Sequence, residues 1–173
     1  MDPRKEISKF GSKIVSSGLT YAHFGNISLL SEGMILITST GSILDELTED
    51  EVIAVTPEAP CPEDALASCE TVVHRAIYEK TTARAVIHTH SPYAVATSIL
   101  EEGPFEPMDG EGAKFLGAVP IVEGEMGSRE LAKNASAALK GSRACIVRGH
   151  GVFAVARPSR SPTSSPVSRS AVP

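Results

Sequence analysis

The sequence lacks the features that mark membrane-spanning, secreted or nucleic-acid-binding proteins. No apolar run approaches the roughly 20 residues needed to cross a bilayer. The N-terminus has no apolar stretch behind its first charges, so we predict no signal peptide and a cytoplasmic location. Lys and Arg number 16 against 21 Asp and Glu, a net charge of −5. This balance argues against nucleic-acid or membrane-surface partners, which clustered basic residues usually bind.

Cysteines are few and scattered. Cys61, Cys69 and Cys145 lie far apart and form no C-x-x-C pair. An odd, dispersed set indicates reduced thiols rather than a disulfide framework. It also supplies no closed, cysteine-rich structural zinc site.

The chain has enough apolar residues for one folded domain, with 173 residues of which 42% are hydrophobic. Helical and strand patterns are mixed along it, which predicts an α/β layered domain. Predicted helices cover residues 7–15, 68–78, 92–100, 109–116 and 128–139. Predicted strands cover residues 26–30, 34–38, 52–55, 85–90, 144–147 and 152–156.

Composition changes sharply after Ala156. The last 17 residues contain six Ser, four Pro, three Arg and no acidic residue. Almost nothing in this segment can be buried, which is typical of a disordered tail. We therefore predict a folded domain over 1–156 and a Ser/Pro-rich tail over 157–173.

Three histidines form a candidate metal site. His88 and His90 are two residues apart on a predicted strand, so both side chains leave the same face. His150 lies between Gly149 and Gly151, which allow a tight turn and a close approach of the backbone. Each histidine alone is better explained as a strand cap or a turn residue. Together they predict a catalytic zinc site, in which three imidazoles leave a fourth position open.

Glu70 is the candidate acid and base beside this site. Its position near the start of the helix that Ser68 is predicted to cap allows two interpretations. The carboxylate can stabilise the helix dipole, or it can move protons next to the metal. His74, one turn further on, has two interpretations, a residue that supports the site from behind or a partly exposed helix residue, and we predict the second. His23 is a weaker candidate for a position near the substrate.

Three short segments have the chemistry of an anion site. The helix start at Ser68 offers free backbone N–H groups and a hydroxyl. Gly25-Asn26 and Thr40-Gly41 each pair a flexible residue with a hydrogen-bonding side chain, although such dipeptides are common in turns.

These segments resemble the class II aldolase/adducin family, and within it the aldolases that cleave L-fuculose 1-phosphate. The resemblance covers roughly residues 5–156 and is carried by five stretches in the family's order. They are Gly25-Asn26-Ile27-Ser28, Ile37-Thr38-Ser39-Thr40-Gly41, Ala67-Ser68-Cys69-Glu70, Val86-Ile87-His88-Thr89-His90 and Arg148-Gly149-His150-Gly151.

The resemblance implies a three-layer α/β/α domain with a mainly antiparallel central sheet. It implies a homotetramer with active sites at subunit contacts, and zinc or another divalent metal held by His88, His90 and His150. Glu70 would be the catalytic acid and base. The phosphate of a small phosphorylated sugar would be held by Gly25, Asn26, Thr40, Gly41, Ser68 and Cys69.

The activity that the resemblance implies is cleavage of a ketose 1-phosphate to dihydroxyacetone phosphate and an aldehyde. Alternatives on the same scaffold are a methylthioribulose-1-phosphate dehydratase and a ribulose-5-phosphate 4-epimerase. A non-catalytic, adducin-like interaction domain is a third interpretation, and metal content distinguishes it because such domains can lose the ligands.

Three features depart from the family pattern. His23 stands where the aldolases usually have Thr, and Cys69 where they often have Ser. The family's tyrosine from a neighbouring subunit has no clear match in the segment Phe105-Glu106-Pro107-Met108-Asp109. The Ser/Pro tail replaces a further helix that normally follows the third histidine.

Overall fold

The computed structural model describes residues 2–58 and 60–158. The predicted tail lies outside the described residues from Ser159 onward. Arg157 is described, and its guanidinium donates hydrogen bonds to the backbone carbonyls of Leu139 and Ser142. This residue of the predicted tail therefore contacts the folded domain.

Within residues 2–58 and 60–158, five α-helices and seven strands follow one another in a mixed order. The helices are α1 (Pro3–Ser16), α2 (Thr71–Lys80), α3 (Pro92–Leu100), α4 (Gly110–Phe115) and α5 (Arg129–Ala138). The strands are β1 (Asn26–Ser31), β2 (Met34–Thr38), β3 (Val52–Val55), β4 (Ala85–Thr89), β5 (Ile121–Val122), β6 (Ala144–Val147) and β7 (Gly151–Ala156). None of the helices in the described part of the chain has the length and apolar character needed to cross a bilayer.

The strands form one mixed seven-stranded sheet in the order β3-β2-β1-β4-β7-β6-β5. The expectation of a mainly antiparallel sheet was wrong: the sheet is mixed, because β5 pairs in parallel with β6. The physical reason is the connection between them. The chain leaves β5, forms α5 and returns to β6, and such a helical crossover brings the second strand back in the same direction.

Helices pack on both faces of the sheet. Val86 of β4 lies in an apolar cluster with α2 and α5, whereas its neighbour Ile87 packs on a cluster that includes α1. This alternation is the two-residue period of a strand. The side chain of His88 therefore points to the α2 face of the sheet, as that of Val86 does. On β1, Ile27 belongs to the α1 cluster, so the side chains of its neighbours Asn26 and Ser28 also point to the α2 face.

The register of three adjacent strands brings the site residues to one edge of the sheet. Asn26 of β1 is paired with His88 of β4, and His88 is paired with Phe153 of β7. The start of β1, the end of β4 and the start of β7 therefore meet. Gly25 precedes β1 with φ +89°, and a Cβ there would lie 2.6 Å from the carbonyl oxygen of His88. Only glycine allows this close approach.

Candidate metal centre and active site

The three predicted histidine ligands lie together in the structure. His88 lies on β4, His90 follows the end of that strand, and His150 lies in the turn between β6 and β7. One ring nitrogen from each lies within 4.8 Å of the other two, and the Nε2 atoms of His88 and His90 are 2.9 Å apart. The group could hold a metal ion.

Two glycines and α3 hold the turn that carries His150. Gly149 has φ +66°, and its backbone N–H donates a 2.9 Å hydrogen bond to Oγ of the buried Ser98. A Cβ at Gly151 would overlap the carbonyl oxygen of Thr89 and approach the ring of His88 to 3.1 Å. The bare backbone of Gly151 therefore lets β7 pass close to β4, so that His150 lies beside His88.

The hydrogen bonds of His88 determine which ring nitrogen is free. Its Nδ1 lies 3.0 Å from the carbonyl oxygen of Val152, which can only accept a hydrogen bond. Nδ1 therefore carries the proton, and Nε2 presents a lone pair to the other histidines. Burial lowers the pKa of all three imidazoles, that of His90 to about 4. Neutral imidazoles are the form that binds metals.

Glu70 lies directly against these histidines. One carboxylate oxygen, Oε2, is 3.1 Å from Nε2 of His88, and the other, Oε1, is 3.9 Å from Nε2 of His150. Among the described residues, Oε1 and the Nε2 of His150 have no hydrogen-bond partner, although both are buried. A cation held by the three imidazoles would satisfy the Nε2 of His150, and its charge would stabilise the carboxylate of Glu70 beside it. The donor set therefore fits a divalent metal.

The position of Glu70 differs from the one predicted. The helix begins at Thr71 rather than near Ser68, so Glu70 is the residue before it, and its side chain makes no capping bond. The backbone N–H and the hydroxyl of Thr71 both donate to the carbonyl oxygen of Ser68, which forms a separate turn ahead of α2. Ser68 is therefore not the N-cap, and Glu70 faces the histidines instead of stabilising the first turn.

Burial changes the acidity of Glu70. The residue is 1% exposed, and burial raises its pKa to about 7, against a smaller lowering by the hydrogen bond that Asn26 donates. The 3.0 Å bond from Nδ2 of Asn26 to Oε2 also fixes the orientation of the carboxylate.

A small cleft of about 90 Å³ opens beside Glu70 and His90. All six residues predicted to bind the substrate line it, together with His23, Phe24 and Met126. The six are Gly25, Asn26, Thr40, Gly41, Ser68 and Cys69. Hydrogen bonds connect the loops around the cleft. Oγ1 of Thr40 donates to the carbonyl oxygen of Ala67, and Nδ1 of His23 lies 2.8 Å from the carbonyl oxygen of Gly41.

The structure also differs from the sequence prediction at His74. It is fully buried rather than partly exposed, and burial lowers its pKa to about 3. Its ring packs edge-on against Phe153, with centroids 5.9 Å apart, and Phe153 stacks on His88 at 4.2 Å. Its spacing of four residues from Glu70 indicates the alternative interpretation, a residue that supports the site, but does not by itself predict burial.

A larger groove of about 960 Å³ lies elsewhere, between α2 and α5. Its lining includes Arg75, Lys80, Arg129 and Lys133, but none of the predicted site residues. Size alone would favour this groove, whereas the converging histidines and the buried carboxylate favour the small cleft as the candidate active site.

Fold and site together define a class of protein. It is an α/β domain in which three imidazoles and a buried carboxylate meet at one sheet edge beside a cleft lined by short polar loops. Residues 5–160 match the family described as the Class II Aldolase and Adducin N-terminal domain, and the chain belongs to that family. The resemblance expected from the five sequence stretches is confirmed.

Within the family, the expected similarity to L-fuculose-1-phosphate aldolases is also confirmed. An L-fuculose phosphate aldolase of Methanococcus maripaludis is 33% identical over 135 residues, which are 77% of this chain and 72% of that protein. The Escherichia coli K12 enzyme of the same name is 30% identical over 141 residues, which are 79% of this chain and 65% of that protein. The solved L-fuculose-1-phosphate aldolase of Thermus thermophilus has a TM-score of 0.83 at 38% identity, and the match covers 88% of this chain and 77% of that one.

Proposed function

We propose that the protein is a metal-dependent aldolase that cleaves a ketose 1-phosphate similar to L-fuculose 1-phosphate. The products are dihydroxyacetone phosphate and an aldehyde. The observation that carries the proposal is the buried Glu70 carboxylate, which touches His88 and lies beside the polar cleft. A proton-transfer group, a metal-binding group and an anion-binding group therefore share one small volume, as this reaction requires.

His88, His90 and His150 are the proposed ligands of a divalent metal. Zinc suits three neutral imidazoles with an open fourth position, and another divalent ion would have the same role. When bound, the ion supplies positive charge that stabilises the negative charge developing on substrate oxygens.

Glu70 is the proposed acid and base. In the cleavage direction the C4 hydroxyl loses its proton to a base outside the residues assigned here. The C3–C4 bond then breaks, and its electron pair remains on the enediolate of the dihydroxyacetone phosphate half. Glu70 returns a proton to C3 through Oε1, the oxygen that has no partner among the described residues, while Asn26 holds Oε2.

The substrate phosphate is proposed to bind in the cleft. Gly25, Asn26, Thr40, Gly41, Ser68 and Cys69 are the proposed contacts. Fixing the phosphate there limits the orientation of the sugar relative to Glu70, which contributes to the rate by positioning. His23 stands where the aldolases usually have Thr, and Cys69 where they often have Ser. An imidazole and a thiol therefore replace two hydroxyl groups around the proposed phosphate site.

A substrate panel tests the function. We expect zinc-loaded protein to release dihydroxyacetone phosphate from L-fuculose 1-phosphate, measured with a coupled assay. L-ribulose 5-phosphate and methylthioribulose 1-phosphate, analysed for epimer and dehydrated product, separate the two alternative enzymes. Metal-loaded protein that cleaves no ketose 1-phosphate would contradict the proposal.

We also propose that the protein assembles as a homotetramer with active sites at subunit contacts. Several large apolar side chains on α3 and on the segment before α4 are exposed: Tyr93 by 86%, Leu100 by 81% and Met108 by 100%. Helix α3 begins at Pro92, two residues after His90, so the end of this surface that carries Tyr93 lies near the site. Analytical ultracentrifugation should show four copies. A metal-loaded, active monomer would exclude this assembly.

A further inference from the structure

A continuous chain of buried hydrogen bonds runs from Glu70 away from the cleft. Oε2 of Glu70 is 3.0 Å from Nδ2 of Asn26, and Oδ1 of Asn26 is 2.6 Å from Nε2 of His74. Nδ1 of His74 is 2.7 Å from Oγ of Ser28, which is 2.8 Å from the hydroxyl of Tyr78. Glu70 directly precedes α2, two of the other residues belong to α2 and two to β1, so the chain crosses between the helix and the sheet.

The chemistry of these groups gives the bonds one direction. Oε2 of Glu70, which carries no proton in this arrangement, accepts a hydrogen bond, and the amide of Asn26 presents its NH₂ group to it. Its carbonyl oxygen then faces His74, so Nε2 of His74 carries a proton and donates a hydrogen bond to that oxygen. This holds whether the ring carries one proton or two, because only a protonated Nε2 can bond to a carbonyl oxygen.

We propose that His74 is a positioning residue that fixes the side-chain amide of Asn26, so that its NH₂ group faces Glu70. The role assigned to Glu70 rests on the proposed function, whereas the orientation of the amide does not. Reversal of the amide would place Oδ1 of Asn26 against Oε2 of Glu70, bringing two acceptors together in a buried site. A protonated Nε2 on His74 makes the reversed arrangement unfavourable at both ends of the amide.

The same orientation affects the cleft. An NH₂ group has two protons, and the bond to Glu70 uses one of them. Asn26 also lines the cleft, so the second proton is left for an oxygen of a bound anion. By fixing the amide, His74 makes Asn26 present N–H donors both to the carboxylate and to the ligand.

The alternative is a histidine that merely fills the core. His74 is fully buried and packs on Phe153, which a purely structural side chain would also do. The two interpretations differ in what a substitution without ring nitrogens changes. Loss of packing would lower stability alone, whereas loss of the donor would also disturb Asn26 and Glu70.

Nitrogen NMR tests the inference without any assay of activity. In ¹⁵N-labelled wild-type protein we expect long-range correlations to show a protonated Nε2 on His74. The side-chain NH₂ resonances of Asn26 should contain one hydrogen-bonded proton, and that signature should be lost in His74→Leu. An unprotonated Nε2, or Asn26 signals that do not change in His74→Leu, would overturn the inference.

Kinetics of matched variants provide the second test. We expect His74→Leu to lower kcat by about 10- to 100-fold with unchanged metal content, as is typical when a group that orients a catalytic residue is lost. His74→Gln should recover part of kcat, because its amide can donate in place of Nε2. Ile77→Ala is the control, since it removes buried contacts of the same helix without touching the chain of hydrogen bonds.

The outcomes separate this inference from the proposed function. A kcat that falls equally in His74→Leu, His74→Gln and Ile77→Ala at equal loss of Tm would show a structural role only and would overturn the inference. Wild-type protein that cleaves no substrate would contradict the proposed function, and the NMR result would then decide the role of His74 by itself.

Discussion

Glu70→Gln should lower kcat for ketose 1-phosphate cleavage by about 100- to 10,000-fold, the contribution typical of a positioned acid or base. The glutamine has nearly the shape of glutamate, and its amide oxygen can still accept the bond from Asn26. It cannot take up or return a proton at C3. The measurement is kcat and KM of the metal-loaded variant in the dihydroxyacetone phosphate assay.

Glu63→Gln is the matched control for this experiment. It makes the same change of charge at an exposed glutamate on the same chain, away from the cleft. We expect near wild-type kcat for the control and stoichiometric metal in both variants, because the proposed ligands are intact. A Glu70→Gln enzyme that keeps most of its kcat with metal bound would disprove the assigned role.

His150→Ala should abolish both metal binding and cleavage. His150 is the ligand furthest along the chain, so removing it leaves only the two imidazoles at the end of β4. Loss of an orienting partner of a metal ligand already costs about 10- to 100-fold in affinity, so loss of a ligand itself should cost more than about 100-fold. Metal analysis after dialysis, followed by the cleavage assay, measures the effect.

His23→Ala is the control for metal content. His23 lines the cleft but contacts Gly41 rather than the three histidines, so its loss should leave the bound metal in place. Full metal content in His150→Ala would disprove the three-histidine site. Wild-type protein that binds no divalent metal would favour the adducin-like interaction domain instead.

The main features of the fold could be predicted from the sequence because its local patterns agree with its packing. The strand patterns locate β1, β2, β3 and β6 closely, since each is a short, largely apolar run bounded by polar or turn residues. The two-residue strand β5 could not be predicted, because Ile121-Val122 is too short to show a period. Its parallel pairing depends on the return of the chain through α5, which is a tertiary property.

In the candidate site, too, local sequence patterns were predictive and tertiary contacts were not. Glycine spacing and the H-x-H pattern indicated His88, His90 and His150, because backbone geometry alone brings two of them together. The burial of His74 was not predictable, since a histidine is buried only where partners such as Asn26 and Ser28 satisfy both ring nitrogens. The start of α2 was misplaced because the bonds between Thr71 and Ser68 favour a separate turn.

Phe153 couples the interior of the domain to its chemistry. Its ring lies flat on His88 and meets the edge of His74, while its other contacts belong to the apolar cluster beneath α2 and α5. Filling cavities in such an interior is one common route to higher thermal stability. In this protein a smaller or differently shaped side chain at position 153 would tilt the rings of both His88 and His74. We therefore expect that any gain in melting temperature obtained there would lower kcat.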